Sequence, residues 1–185
     1  SQYMQSKLQG EKNIQDTFKQ SVILRPSVVF GPEDKFFNTF ATLAQFSPVL
    51  PLIGGGNTVF EPIYVGDVAE AIVKSLEINN SKPIIYELGG ENYSFKELMQ
   101  ILLSEIGKKR FLIPIPWGMA KFQSYFLQKL PTPLLTPDQV TMLRYDNVVS
   151  GEYKTLKNLK IQPTTIQSIL PKYIYRFRSG GEFSK

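Results

Sequence analysis

Apolar residues along this chain come in short bursts, and their spacing changes from burst to burst. Residues 3–18 read as a helix. Residues 21–30 (Ser-Val-Ile-Leu-Arg-Pro-Ser-Val-Val-Phe) form a β-branched apolar run, read as a buried strand and its end, closed by Gly31-Pro32. Residues 36–46 are apolar at helical spacing through Phe37, Phe40, Leu43 and Ala44. Pro51-Leu52-Ile53 then leads into a turn of three glycines, residues 59–65 read as a strand, and residues 66–76 as a helix with Val68, Ala71, Ile72 and Leu76 on one face.

The second half is better punctuated. Residues 84–88 read as a strand ending in Gly89-Gly90. Ser94 and Glu97 stand at capping-box spacing, followed by Phe95, Leu98, Met99, Leu102 and Ile106 on one helical face and by Gly107 as the stop. Residues 111–115 read as a strand and 116–130 as a helix carrying Trp117. Thr136, Pro137 and Gln139 mark another helix start. Ile166, Ile169 and Leu170 lead to Pro171, which is expected to open a last helix bearing Tyr173, Ile174 and Phe177. Strands alternating with helices predict an α/β chain.

Composition narrows the function classes. The chain has 185 residues, 42% hydrophobic and 20% charged, which suits one globular domain. No apolar run approaches the roughly 20 residues needed to cross a bilayer. The polar start, residues 1–19, carries no apolar core of a signal peptide. With no Cys there is no disulfide framework or thiolate chemistry, and a reducing compartment is compatible. With no His either, a zinc or haem site from this chain alone is not expected, so the metal set is none.

The net charge of +5 is unevenly placed. Residues 1–150 are neutral, and the excess sits in residues 151–185, through Lys154, Lys157, Lys160, Lys172, Arg176, Arg178 and Lys185 against Glu152 and Glu182. That segment is a candidate to dock an acidic protein surface or an anionic membrane face, or else a solvated helix face with a loose tail. It shows no nucleic-acid-binding motif, so no nucleic-acid partner is expected.

Candidate chemistry begins at Tyr3 and Lys7. Four residues apart on a helix, both project from one face. A nearby ammonium lowers a phenol's pKa towards the range of a general acid or base, and the same Lys can reach a ribose. The spacing alone occurs by chance in many helices.

The order of further motifs gives it context. Leu24-Arg25-Pro26-Ser27-Val28-Val29-Phe30-Gly31-Pro32, Tyr64-Val65-Gly66-Asp67-Val68-Ala69 and Tyr86-Glu87-Leu88-Gly89-Gly90 follow the pair in turn. This order resembles the extended and atypical short-chain dehydrogenases/reductases, the NAD-dependent epimerase/dehydratase group. The resemblance implies the C-terminal part of a Rossmann-like fold, with Tyr3 and Lys7 as the catalytic pair. It also places Tyr3, Lys7, Pro26, Ser27, Val28 and Val29 at the nicotinamide end of NADP or NAD.

A closer resemblance covers nearly the whole chain. Residues 30–38, 50–56, 136–140, 146–150 and 173–178 look like the nucleotide-binding accessory subunits of respiratory complex I (NADH:ubiquinone oxidoreductase) and their bacterial relatives. It implies a bound dinucleotide in a structural or assembly component, complex I subunits as partners, and a cytoplasmic chain, peripheral on the inner membrane face or on the matrix side if mitochondrial. Two alternatives stay open: an active oxidoreductase, epimerase or dehydratase on a nucleotide sugar, and a truncated gene product without independent function.

The chain departs from the family in one respect. The Gly-x-x-Gly-x-x-Gly loop that cradles the pyrophosphate is absent, and Gly54-Gly55-Gly56 has neither its spacing nor its place before the Tyr/Lys pair. The expected arrangement is therefore residues 1–32 as a remnant of the nucleotide-binding domain, 33–150 as a mixed C-terminal part with substrate-domain elements, and 151–185 as the basic segment. Weak or absent dinucleotide binding is expected for this chain alone. Four more residues have two readings each: Asp67 as helix cap or acid, Arg25 as ion pair or anion contact, Trp117 as core or stacking surface, Asn38 as cleft lining or helix-start residue.

Overall fold

The computed structural model describes residues 1–129, 135–178 and 180–181. The chain begins with α1 (Gln2–Thr17), β1 (Val22–Pro26), β2 (Val29–Phe30), α2 (Lys35–Phe46) and β3 (Val49–Ile53). A 3-10 turn, Gly54–Gly56, leads to β4 (Val59–Phe60), β5 (Ile63–Tyr64), α3 (Val65–Ser75), β6 (Ile84–Leu88), β7 (Tyr93–Ser94) and α4 (Phe95–Glu105). Then come β8 (Phe111–Ile115), α5 (Trp117–Leu127), α6 (Pro137–Met142), β9 (Lys154–Thr155) and α7 (Ile166–Ile174). Leu130, which the pattern put at the end of the fifth helix, lies outside the described residues, as do Glu182 and Lys185 of the basic segment.

The strands pair mostly in parallel. The largest sheet has the order β1-β6-β9, with Val22 opposite Ile84, Pro26 opposite Leu88, and Tyr86 opposite Lys154. It takes one strand from each of residues 1–32, 33–150 and 151–185. β2 pairs with β5 and β3 with β8, both parallel, while β4 and β7 are antiparallel. Parallel neighbours need crossover connections, and helices supply them here.

The main core lies where α2, α4 and α7 meet, with Phe30, Phe37, Leu50, Phe95, Leu98, Leu102 and Leu170 at its centre. Phe36, Phe40, Phe60 and Phe95 stack around one another with ring centroids 5.3–6.4 Å apart, the offset and edge-on spacing that aromatic quadrupoles favour. A second cluster, Ile63, Ala71, Tyr86, Leu88, Leu156, Leu159 and Ile161, packs β5, β6 and α3 together. A third is small: Ile53, Ala120 and Val140, with Trp117 against them.

The capping box at Ser94 and the helix start at Thr136 are formed as read, the second as a box too. Ser94 Oγ accepts from the Glu97 N–H at 3.2 Å and Glu97 Oε2 accepts from the Ser94 N–H at 2.7 Å; Thr136 and Gln139 do the same for α6. Four readings need correction. The run 59–65 is two strands, because Pro62 has no N–H to give a ladder and Glu61 turns inward. The last helix starts at Ile166, so Pro171 sits inside it. On α3, only Asp67 and Ala71 are buried; Ile72 and Leu76 face solvent. The run 21–30 also breaks after Pro26, with Ile23 its one buried residue in β1.

Candidate functional site

The carboxyl ends of β1 and β6 leave a cleft of about 190 Å³, lined by Arg25, Pro26, Ser27, Glu87, Leu88 and residues 147–149. This is where open parallel sheets place ligands, since side chains and turns diverge beyond the strand ends. Two of the sequence-selected residues, Pro26 and Ser27, are in its wall.

Ser27 is tied in place. Its N–H donates to Leu88 O at 2.9 Å and its Oγ to Asn147 O at 2.8 Å. Val28 O accepts from the Ile63 N–H at 2.9 Å, and Val29 pairs with Ile63 in the ladder. Both valines are half-buried in the sheet rather than on the cleft wall.

Tyr3 and Lys7 share a face of α1 as expected, with Lys7 Nζ 6.0 Å from the Tyr3 ring centroid. They do not line the cleft, and α1 buries none of its residues. Tyr3 is 53% exposed. What positions the pair is a carboxylate absent from the sequence reading. Asp138, in the first turn of α6, accepts from the Ser1 hydroxyl at 2.9 Å and from the N–H groups of Gln2 and Tyr3 at 2.9 and 3.3 Å. Desolvation works against its charge, but the Ser1 hydroxyl and these helix-start amides outweigh it and hold the Asp138 carboxyl below the usual range.

Arg25 is an ion-pair residue. It grips Glu11 through Nε and Nη2, the shortest contact being 2.6 Å, lies 3.7 Å from Glu87, and covers the Tyr153 ring at 4.7 Å. The hydrogen bonds to Glu11, above all, raise its pKa further and leave its charge neutralised for any anionic ligand. Asp67 does not cap its own helix. It is buried, and its two oxygens accept from the Thr164 N–H and hydroxyl at 2.7 Å each, fastening α3 to the segment before α7.

Asn38 has a helix-start role: its amide donates to Asp34 O at 2.7 Å and its Oδ1 accepts from Arg176 at 2.6 Å. Trp117 packs in the third cluster, with the Arg144 guanidinium 5.6 Å from its ring. Arg176 and Arg178, counted with the basic segment, are engaged inward: Arg178 reaches Glu105 and Arg176 reaches Asn38 and Pro32 O.

The segment over the cleft, residues 146–150, entered the sequence reading only as a family mark. It is strapped down by Val149 N–H to Glu61 Oε2 at 3.1 Å, Ser150 N–H to Glu87 Oε2 at 2.6 Å, and Val59 N–H to Asp146 Oδ1 at 2.8 Å. Buried Glu61 and half-buried Glu87 could not be singled out beforehand as anchors of this strap, because nothing in their local sequence marks a carboxylate with so distant a partner.

For the dinucleotide that the resemblance implies, the residues present do not fit the whole group. Small-ligand pockets run to about 300–1,000 Å³, and the space beside the glycine turn is taken by side chains, Trp117 against Gly54 and Leu52 and Lys96 against Gly56. Among the described residues, no cluster of acidic side chains could hold a metal.

Parallel strands joined through helices, with a cleft at their carboxyl ends, define a Rossmann-like short-chain dehydrogenase/reductase fold. The chain belongs to the RmlD substrate binding domain family, whose profile matches residues 1–151. It is 30% identical, over 98% of its length and 48% of the relative's, to NADH dehydrogenase [ubiquinone] 1 alpha subcomplex subunit 9, mitochondrial, of Arabidopsis thaliana. It is 27% identical to the NADH-ubiquinone oxidoreductase 40 kDa subunit, mitochondrial, of Neurospora crassa, over 98% of this chain and 48% of that one. The chain thus spans about half the length of the curated relatives it matches. Among solved structures, a dTDP-glucose 4,6-dehydratase from Streptomyces venezuelae with NAD bound superposes with a TM-score of 0.60 at 20% identity, over 91% of this chain and 48% of that one. The resemblances stated from the sequence, to the family and to its complex I branch, hold.

Proposed function

We propose that this chain works within an accessory subunit of respiratory complex I, in a structural or assembly role. One observation carries the reading. The family profile stops at residue 151, yet the likeness to complex I subunits covers 98% of the chain and so runs on through β9 and α7. A structural role is in keeping with the strap at 146–150, which lies against Ser27 at the cleft. In a longer protein Tyr3, Lys7 and the 26–29 backbone would border the nicotinamide end of NADP or NAD. This chain alone binds either weakly or not at all, which titration calorimetry checks. Its place is peripheral, on the inner or matrix face of the membrane; among the described residues no helix is long and apolar enough to cross it.

The test is an immunoblot of solubilised native membranes, run on a native gel and then a denaturing one. Co-migration with complex I is expected, unchanged in Tyr3→Phe. A separate band whose NAD(P)-dependent turnover of a nucleotide sugar disappears in Tyr3→Phe would overturn the proposal in favour of an active enzyme.

A further inference from the structure

α5 is apolar on two opposite sides. One stripe, Ala120, Ser124 and Leu127, turns towards the protein, with Ala120 and Ser124 fully buried where the helix packs on α6. The other, Met119, Phe122 and Phe126, is spaced i, i+3, i+7 and points away. These three are 55%, 66% and 61% exposed, and Tyr125 beside them is exposed too. Phe122 and Phe126 lie edge-on to each other, centroids 5.3 Å apart, so they present one continuous aromatic surface. A surface helix with a single partner has mostly polar residues on its outer side; here Met119, Phe122, Tyr125 and Phe126 are exposed among Lys121, Gln123 and Gln128.

The stretch of sequence that holds this helix carries charge of one sign. Between Glu105 and Asp138 the sequence contains Lys108, Lys109, Arg110, Lys121 and Lys129 and no Asp or Glu. Lys121 and Lys129 are exposed on α5 and just beyond its end, and among the described residues neither forms an ion pair. This basic stretch was hidden in the sequence totals, because residues 1–150 sum to zero.

We infer that α5 lies flat on an anionic bilayer surface, its Met119–Phe122–Phe126 stripe entering the headgroup boundary and its lysines meeting lipid phosphates. Aromatic and apolar residues on one side with lysines at the margin are the combination that seats a helix in that boundary, and each lysine near an anionic leaflet adds electrostatic attraction. The helix is too short to span, at 11 residues. This goes beyond the subunit assignment and does not depend on it: any anionic membrane would serve.

The experiment is flotation of the purified chain with vesicles of phosphatidylcholine alone and of phosphatidylcholine with phosphatidylglycerol. The chain should float with the anionic vesicles and much less with the neutral ones. Phe122→Ser with Phe126→Ser should reduce binding by about tenfold or more. Lys121→Glu with Lys129→Glu should abolish the preference for anionic lipid. All four positions are exposed, and circular dichroism verifies that each variant folds. Absence of flotation, or equal flotation of the double-serine variant, would overturn the inference. So would loss of co-migration with a protein assembly in the double-serine variant while vesicle binding persists, since the face would then belong to a protein partner. None of these results bears on whether the chain is a complex I component.

Discussion

Tyr173 shows how much one buried hydroxyl can fix. Its Oη donates to Asp34 Oδ2 at 2.6 Å, and the same carboxylate accepts from the N–H groups of Phe37 and Gly31, so one Asp joins α7 to the start of α2. Burial first, and then the bond to Asp34, push the Tyr173 pKa well above the ordinary phenol value. The sign follows directly. Below pH ~10 both folded and unfolded states keep the proton, and stability is full; above it the unfolded chain releases the proton that the folded chain retains, so stability falls as pH rises. Tyr173→Phe is expected to cost about 1.5–3 kcal/mol at neutral pH, as a charge-assisted bond does, and to flatten the alkaline limb of a urea-midpoint-versus-pH curve. Gly54 makes a separate case: at φ +63 it holds a left-handed turn, and a Cβ there would run into the Trp117 ring. Gly54→Ala should therefore destabilise by about 2 kcal/mol or more, with the emission of the chain's single tryptophan shifting to the red. Such residues were illegible in the sequence. Asp34 stands just before α2 and Asp67 two positions into α3, both where local rules suggest a cap; Asp34 does cap α2, but Asp67 serves a partner 97 residues away.

The elements that the sequence disclosed are those whose signal is local. A capping box needs four residues, and both boxes formed; Ser94→Ala is expected to cost about 1 kcal/mol, read as a lower urea midpoint with the main core destabilised through α4. Glu97, the other half of that box, is held below the usual carboxylate range, first by the Ser94 backbone N–H. Its contribution is present above the ordinary carboxylate pKa and is lost as the pH falls through the lowered one. Signals that depend on distant packing failed. Helical spacing on α3 promised a buried stripe through Ile72 and Leu76, but the segment at 156–161 covers only the Ala71 side. Pro171 reads as a helix opener by local preference, yet Ile166 and Leu170 gain enough in the main core to hold a turn before it.

At the scale of the molecule, α7 is what closes the main core. Ile166, Leu170, Tyr173, Ile174 and Phe177 all enter it, although the family profile ends before them. A chain ending at Pro163 is expected to lose cooperative unfolding and to bind ANS, which far-UV circular dichroism with dye fluorescence would show. The α/β class and the family were legible because motif order survives at 20–30% identity; the cleft was only half legible, because Pro26 and Ser27 follow one strand while Glu87 and residues 147–149 come from far along the chain. The order of the main sheet also sets a schedule. β1 is made first, β6 follows, and β9 completes the edge 128 residues after Pro26, all in parallel. At roughly 5–20 residues per second, the first strand waits about 6–26 s on the ribosome before the last can pair with the sheet. During that interval the second cluster, against which Val22 and Leu24 pack, still lacks Leu156, Leu159 and Ile161, so nascent-chain chaperones should be found on this chain until the residues behind β9 emerge, which ribosome-bound crosslinking would show.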